Sequence, residues 1–243
     1  MTFSLNILDW CALAPGLSNH EQWRQWSSQS FDDWSVSLPP TPHIPMMMAR
    51  RMSAPSRLSV EVGMTLLEQR PDAAVFISRH GELERTYKII ESLCRQQDVS
   101  PTDFAMSVHN TAAGLLTIGG KAPLPMTSLA AGIDGFQQGM LEVQAIISAG
   151  AQKVLLVDFD GAVPEAYSTR ITHTVPAYAV GLLITQGQAL RCQAIKKAPS
   201  PKHETSELPQ SLDFLRHYLT SHALTKESSF IIKGAGSDWQ WNR

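Results

Sequence analysis

The sequence predicts an α/β fold in which helices and strands are arranged in layers. Short apolar runs of strand length alternate with longer segments whose apolar residues recur at helical spacing. Such alternation is typical of layered α/β domains. The chain has 243 residues, of which 43% are hydrophobic, so it is long enough and apolar enough to bury a core. We expect residues 1–243 to form a single domain.

The first half of the chain is expected to begin with a strand at residues 4–14, which Pro15 and Gly16 end. Asn19 is a suitable N-cap for a short helix, and residues 27–48 are expected to form a surface loop. Later strands are expected at 73–78 and 103–108, and helices after Pro55, at 82–97 and at 110–118. The helix at 82–97 carries one apolar stripe, formed by Leu83, Tyr87, Ile90 and Cys94.

The second half continues the same alternation. A short extended segment at 124–129 leads through a small-residue turn at Gly132 into a helix with Phe136, Met140 and Val143 on one face. The remaining expected elements are strands at 153–159 and 176–185, an exposed linker at 195–208, a helix at 212–224 and a strand at 230–233.

Charge and cysteine content exclude several classes of protein. The net charge is −2 and no basic cluster with interleaved aromatic residues occurs, so nucleic acid is not an expected partner. The three cysteines, Cys11, Cys94 and Cys192, lie far apart, which favours reduced thiols in packing positions in the cytoplasm over disulfides or a metal site. The sequence contains no apolar stretch long enough to span a membrane and no signal for a cofactor.

Five segments, in this order, resemble the β-ketoacyl synthases of the thiolase-like superfamily: residues 7–16, 50–67, 100–104, 107–118 and 154–160. The resemblance covers residues 4–190 and leaves 191–243 as a divergent C-terminal segment. It implies a thiolase-like fold of helix, mixed sheet and helix layers. It also implies that the chain is truncated to roughly the N-terminal half of a ketosynthase.

The resemblance further implies that the chain has lost the family's catalytic residues. The nucleophile of the family is a cysteine in a small-residue turn at a helix N-terminus, where free amides and the helix dipole stabilise a thiolate. If Gly132 corresponds to the family's glycine, Leu129 occupies the cysteine position, and no cysteine lies between Cys94 and Cys192. The family's catalytic histidine motifs are also absent, because His173, His203, His217 and His222 do not lie in them.

The function implied by the resemblance is that of a chain length factor of the aryl polyene type. Such a subunit pairs with an active β-ketoacyl synthase and closes the far end of its acyl tunnel, while the acyl carrier protein is engaged mainly through that partner. The expected partner interface comprises Ser107, His109, Asn110, Thr111, Leu124, Met126, Thr127 and Ser128. The expected tunnel end comprises Thr86, Ile89, Ile90, Phe104 and Met106.

Two other functions remain open from the sequence. Ser128 could act as the nucleophile of a thioesterase or acyltransferase, although that role requires an adjacent base. The chain could instead be a stand-alone acyl-binding module. A metal site at Asp158 and Asp160 is less consistent with the sequence than a solvated strand end, because no third ligand is suitably spaced.

Overall fold

The computed structural model describes residues 1–28, 34, 37–169, 171, 175–197, 208–222 and 228–243, with the side chains of residues 221 and 222 excepted. Most of the expected linker at 195–208, part of the expected loop at 27–48, and His173 and His203 therefore lie outside the described residues.

The strands follow the apolar runs of the sequence. In chain order they are β1 (Thr2–Leu13), β2 (Ala73–Ile77), β3 (Met126–Leu129), β4 (Lys153–Asp160), β5 (Tyr178–Gln186), β6 (Leu190–Lys196), β7 (Ser229–Ile232) and β8 (Ser237–Asn242). The helices are α1 (His20–Ser28), α2 (Met46–Ala49), α3 (Ala54–Leu67), α4 (Leu83–Cys94), α5 (Pro101–Ala105), α6 (Thr111–Gly120), α7 (Gly135–Ser148) and α8 (Gln210–His222).

These strands form one mixed sheet in the order β3-β2-β4-β5-β1-β6-β8-β7. Strand β2 is parallel to both β3 and β4, whereas the other pairs are antiparallel. The parallel strands β2, β3 and β4 therefore end at the same edge of the sheet, which places their following turns side by side. Strands β3 and β7 are the two outer strands.

Helices cover both faces of the sheet and create two apolar cores. In β2, Val75 and Ile77 point into the core beneath α7 and α8, whereas Ala74 and Phe76 point into the core beneath α3 and α6. This alternation follows from the two-residue period of a strand, and burial on both faces explains the continuous apolar run.

Two glycines allow these helices to approach the sheet closely. A Cβ atom at Gly139 of α7 would lie 2.0 Å from Cδ1 of Ile77, and one at Gly181 of β5 would lie 2.4 Å from Cγ1 of Val62. Side-chain carbons are not found at such distances, so a larger residue at either position would require the contacting side chain or the helix to shift.

The structure corrects one predicted strand and adds two others. Residues 103–108 were expected to be extended, but helix α5 occupies this region because Ser100 caps it: its Oγ accepts a hydrogen bond of 3.2 Å from the amide of Asp103. Strands β6 and β8 were not predicted, and they extend the sheet beyond β1. Ile195 and Lys196 of the expected linker belong to β6.

Helix α4 has the predicted position but not the predicted burial. Only Arg85 is buried, whereas Ile90 of the apolar stripe is 44% exposed and Cys94 is exposed. Packing within the chain was expected of Cys94, and that expectation was wrong, whereas Ile90 was expected at the tunnel end and its exposure does not contradict that prediction. Cys94 is consequently not a packing site.

Candidate functional site

The turn after β3 has the predicted order of strand, turn and helix. Leu129 is the last residue of β3, is half-buried and packs against the core beneath α7. Gly132 has a φ of 61°, a left-handed conformation that favours glycine. A 3-10 turn at Gly132–Asp134 precedes α7, so the long helix starts at Gly135, slightly later than expected.

Ser128 has no catalytic partner in this turn. Within the described part of the chain, no side chain forms a hydrogen bond with its hydroxyl group. Its neighbour Thr127 instead donates a hydrogen bond of 3.2 Å to Oε1 of Glu142 on α7. A serine nucleophile requires a base to accept its proton, so the geometry does not favour the serine enzyme.

The cysteines are also poorly suited to nucleophilic chemistry. Burial raises the pKa of Cys11 and that of Cys192 to about 12, because the charged thiolate is penalised away from water. Both thiols are therefore protonated near neutral pH. Cys94 is exposed at the end of α4, and none of the three lies in the turn after β3.

Strand β3 has a free outer edge. The amide of Ala74 donates to the carbonyl of Pro125 at 3.0 Å, and that of Ser78 donates to the carbonyl of Leu129 at 3.2 Å. Because backbone groups alternate in direction along a strand, Met126 and Ser128 direct theirs away from β2. No described strand pairs with that side of β3.

The other predicted interface residues lie at the start of α6 and close to the same edge of the sheet. His109 contacts the carbonyl oxygen of Ser78 through Nε2 at 3.0 Å, which links α6 to the end of β2. The Thr111 hydroxyl donates to the carbonyl of Met106 at 3.1 Å, and Thr111 is buried. Asn110 is exposed, Ser107 is half-buried, and Leu124 is half-buried against the core beneath α3.

The predicted tunnel-end residues lie on α4 and α5 and in the residue after α5. Ile90 is 44% exposed and Phe104 is 69% exposed, whereas Thr86, Ile89 and Met106 are half-buried. Two further apolar side chains in this region, Leu93 and Val108, are also exposed. The α4–α5 layer, which we define as residues 83–108, thus presents apolar side chains to solvent in the single chain.

A polar network that the sequence analysis missed connects this layer to α3. Arg85 donates from Nη1 to Asp103 Oδ1 at 2.7 Å, from Nε to Glu82 Oε2 at 3.1 Å and from Nη2 to the carbonyl of Arg51. Glu82 also accepts hydrogen bonds from the hydroxyls of Ser53 and Ser56 near the start of α3. The three-residue spacing of Glu82 and Arg85 on a helix could have indicated their pairing.

Asp158 and Asp160 lie at the end of β4 and are buried, so the expectation of a solvated strand end was wrong. Burial raises the pKa of Asp158 to about 7 and that of Asp160 to about 6, although hydrogen bonds partly offset it. Asp158 Oδ2 accepts from the hydroxyls of Tyr178, at 3.2 Å, and Ser211. Asp158 and Asp160 are two residues apart on the strand, so both side chains lie on the same face of the sheet.

A cavity of about 540 Å³ opens beside these carboxylates. Its lining comes from the ends of β2 and β4 and from the starts of α7 and α8. Ligands of open α/β sheets commonly bind at the carboxyl ends of strands, so this position is suitable for a ligand. Within the described part of the chain, no group of three or more His, Cys, Asp or Glu side chains is placed to hold a metal ion.

Sequence and structure comparisons identify the family. The model of the β-ketoacyl synthase N-terminal domain matches residues 23–242, and the chain belongs to this family. A chain from the complex of the ketosynthase ApeO with its chain length factor ApeC, from Xenorhabdus doucetiae, is 45% identical. Its TM-score is 0.90, and the match covers 99% of this chain and 100% of that chain. No curated protein sequence matches the chain.

Two more distant structures share the fold. A chain of the ishigamide ketosynthase/chain length factor is 12% identical, with a TM-score of 0.75 and 98% of each chain covered. The ketosynthase from module 6 of the bacillaene synthase of Bacillus subtilis 168 is 13% identical, with a TM-score of 0.55. That match covers 85% of this chain and 43% of the ketosynthase. The predicted thiolase-like α/β fold is confirmed.

No helix among the described residues is both long enough and apolar enough to cross a lipid bilayer.

Proposed function

We propose that this chain is a non-catalytic chain length factor that pairs with an active β-ketoacyl synthase and helps to shape its acyl tunnel. The pathway proposed is type II polyketide biosynthesis of the aryl polyene kind, in the cytoplasm. The observation that carries the proposal is the turn after β3, where strand, turn and helix are retained but Leu129 stands at the position we assign to the nucleophile. The similarity to a chain of the ApeO–ApeC complex supports it.

The chemistry of the turn is consistent with a non-catalytic role. Decarboxylative condensation requires a thiolate to carry the acyl group and donors to stabilise an oxyanion. The Leu129 side chain supplies neither, and His109 contacts the Ser78 carbonyl through Nε2. We therefore assign the condensation to the partner subunit, and we expect the acyl carrier protein to dock mainly on that partner.

The free edge of β3 supports a pairing role. An unpaired edge strand exposes backbone donors and acceptors and invites association with another strand. Met126 and Ser128 direct these groups outward, and the half-buried side chains of β3 stand at the same edge. We propose that β3 pairs with the corresponding strand of the ketosynthase.

The exposed apolar side chains of the α4–α5 layer support a steric role. Exposed apolar clusters of this kind mark interaction surfaces. Ile90 and Phe104 are the most exposed members of the proposed tunnel end. A side chain at the end of a filled apolar tunnel limits chain length directly, because each added methylene must find space.

The pairing role is tested by co-expression with the ketosynthase and co-purification. Met126→Pro should remove a donor from the outer edge of β3 while leaving the hydrogen bonds to β2 intact, and it should abolish co-purification. Retention of the full yield of complex would refute the β3 interface. Thermal unfolding of the isolated variant is the control for folding.

The steric role is tested by tryptophan substitutions at Ile89, Ile90, Phe104 and Met106 in the assembled complex, with products measured by mass spectrometry. Larger side chains at the tunnel end should shorten the products. Ile231→Trp is a matched control, because Ile231 is also 44% exposed but lies on β7 at the opposite edge of the sheet. Unchanged products from every assembled variant would leave this chain a scaffold only.

A further inference from the structure

A groove runs between β3 and α7 at the free edge of the sheet. Met140 and Val143 of α7 are buried in the core, whereas the flank of the helix nearest to β3 is partly exposed. That flank and the end of β3 line the groove with Leu129, Ala131, Asp134, Gln138, Leu141 and Glu142. A strand that pairs with the outer edge of β3 would therefore bring its own neighbouring side chains against this groove.

Glu142 is an acid in this groove without a counter-charge. Its Oε1 accepts a hydrogen bond of 3.2 Å from the hydroxyl of Thr127, which is a neutral donor. No cationic side chain among the described residues forms an ion pair with Glu142. Asp134, the other acid in the groove, is tied into the chain, because its Oδ1 accepts from Gln210 Nε2 at 3.1 Å and from the amide of Ala235 at 2.9 Å.

Pairing at β3 would cover the Glu142 carboxylate. Glu142 is half-buried in the single chain, so water still reaches it. Moving a carboxylate out of water without an opposite charge is unfavourable, whereas a close cation offsets much of that cost. The surface that covers the groove should therefore supply a lysine or an arginine.

In a second copy of this chain, the matching position is another Glu142. Antiparallel pairing of β3 with itself would follow a two-fold axis perpendicular to the sheet, which keeps both α7 helices on the same face. Because β3 is the short strand Met126–Leu129, Thr127 of each copy would lie close to that axis. Cross-strand neighbours are about 5–8 Å apart, so the two Glu142 carboxylates would meet in one groove and repel each other.

We propose that Glu142 selects the partner of β3: its charge disfavours self-association of this chain and favours a ketosynthase surface that carries a lysine or an arginine opposite it. The inference rests on the proposed pairing of β3 with the ketosynthase and adds the charge that this pairing requires. The hydrogen bond from Thr127 holds the carboxylate beside the strand, so the charge acts at the paired edge itself.

The test measures the dissociation constant of the complex with the ketosynthase and, by sedimentation, the self-association of the isolated chain. Glu142→Gln keeps an oxygen that can accept from Thr127 but removes the charge. It should weaken ketosynthase binding about tenfold and strengthen self-association about tenfold. Glu142→Lys should weaken ketosynthase binding about a hundredfold, because it sets two cations against each other. Added salt should weaken binding of the unaltered chain more than that of Glu142→Gln.

Glu21→Gln is the matched control. Glu21 also accepts a hydrogen bond from a neutral side chain, from Gln25 Nε2 at 3.1 Å, but it lies on α1, which is joined to β1 by the hydrogen bond from Trp23 to the carbonyl of Ala12. The control should leave the ketosynthase affinity and the self-association unchanged.

Full ketosynthase affinity in a folded Glu142→Gln or Glu142→Lys variant would overturn this inference and leave the β3 pairing intact. Self-association of Glu142→Gln no stronger than that of the unaltered chain would also overturn it. Thermal unfolding shows whether each variant is folded. If the unaltered chain did not bind the ketosynthase at all, the proposed pairing would be refuted, and this inference with it.

Discussion

Helices α3 and α4 carry similar apolar stripes but have different environments. In α3, Leu58, Val62 and Leu66 are at most 1% exposed, and they pack between the sheet and α6. In α4, Ile90 is 44% exposed and Leu93 is 61% exposed. Helical periodicity shows that a face is apolar, but it does not show whether this chain or another one covers it.

The two helices are also held by different forces. Helix α3 is held by apolar burial, whereas α4 is joined to the rest of the chain by the hydrogen bonds of Glu82 and Arg85. A polar attachment fixes the direction of a helix without covering its apolar side chains. This arrangement suits a surface that another subunit completes.

The largest effect is expected from Arg85→Met, which removes the charge that pairs with buried Glu82 and with Asp103. Loss of one partner leaves a buried charge uncompensated, so the free energy of unfolding should fall by about 3–5 kcal/mol. Chemical denaturation measures this change. Arg95→Met, on the same helix, breaks an exposed pair with Glu91 and should cost no more than about 1 kcal/mol. Equal losses would show that Arg85 does not hold α4.

Leu58→Ala and Leu93→Ala sharpen the comparison directly. The first creates a cavity in the core beneath α3 and should lower the free energy of unfolding by about 2–5 kcal/mol. The second truncates an exposed side chain and should change the stability of the isolated chain by less than about 0.5 kcal/mol. If Leu93→Ala were equally destabilising in the isolated chain, the stripe of α4 would be covered within it.

Asp158 and Asp160 are buried within the single chain, in contrast to the exposed apolar side chains of α4. Their raised pKa values mean that, between about pH 4 and pH 7, the folded chain binds more protons than the unfolded chain. The contribution of Asp158 and Asp160 to stability should therefore fall as the pH rises through this window, by up to about 1.4 kcal/mol per pH unit for each group. Asp158→Asn should flatten the dependence, whereas Asp98→Asn should not. Denaturation at a series of pH values measures both, and an unchanged slope in Asp158→Asn would contradict the assignment.

The smallest effect is expected from the cysteines. Alanine at Cys94 should change stability by less than about 0.5 kcal/mol, because the side chain is exposed. Alanine at Cys11 or Cys192 should cost about 1 kcal/mol through lost packing. None should abolish turnover by the reconstituted complex. A well-assembled cysteine variant without turnover would show that the nucleophile had been misplaced.

Sequence patterns sufficed where the structure depends on local periodicity. Strand β2 is a continuous apolar run, β4 contains the apolar run 154–157, and α7 buries Phe136, Met140 and Val143 as its spacing predicts. Strand β8 was missed although Trp239 and Trp241 alternate with polar residues, because its pairing with β6 joins segments that α8 separates in the sequence. Helix α5 was misjudged because the cap at Ser100 was overlooked.

The candidate site was less predictable because it depends on tertiary position. The turn at Gly132 and the absence of a nearby cysteine are local features and were read from the sequence. The hydrogen bond between Thr127 and Glu142 forms only because α7 returns beside β3, and the burial of Asp158 depends on Tyr178 and Ser211. No local pattern contains this information.

The most direct test of the non-catalytic role is reconstitution with the ketosynthase, in which the ketosynthase's nucleophile and Ser128 of this chain are replaced in turn. Product formation is measured by mass spectrometry of the assembled complex. Replacement of the ketosynthase's nucleophilic cysteine by alanine should abolish product formation, and Ser128→Ala in this chain should leave it intact. Turnover that survives the first substitution and is lost with the second would show that this chain is itself the enzyme.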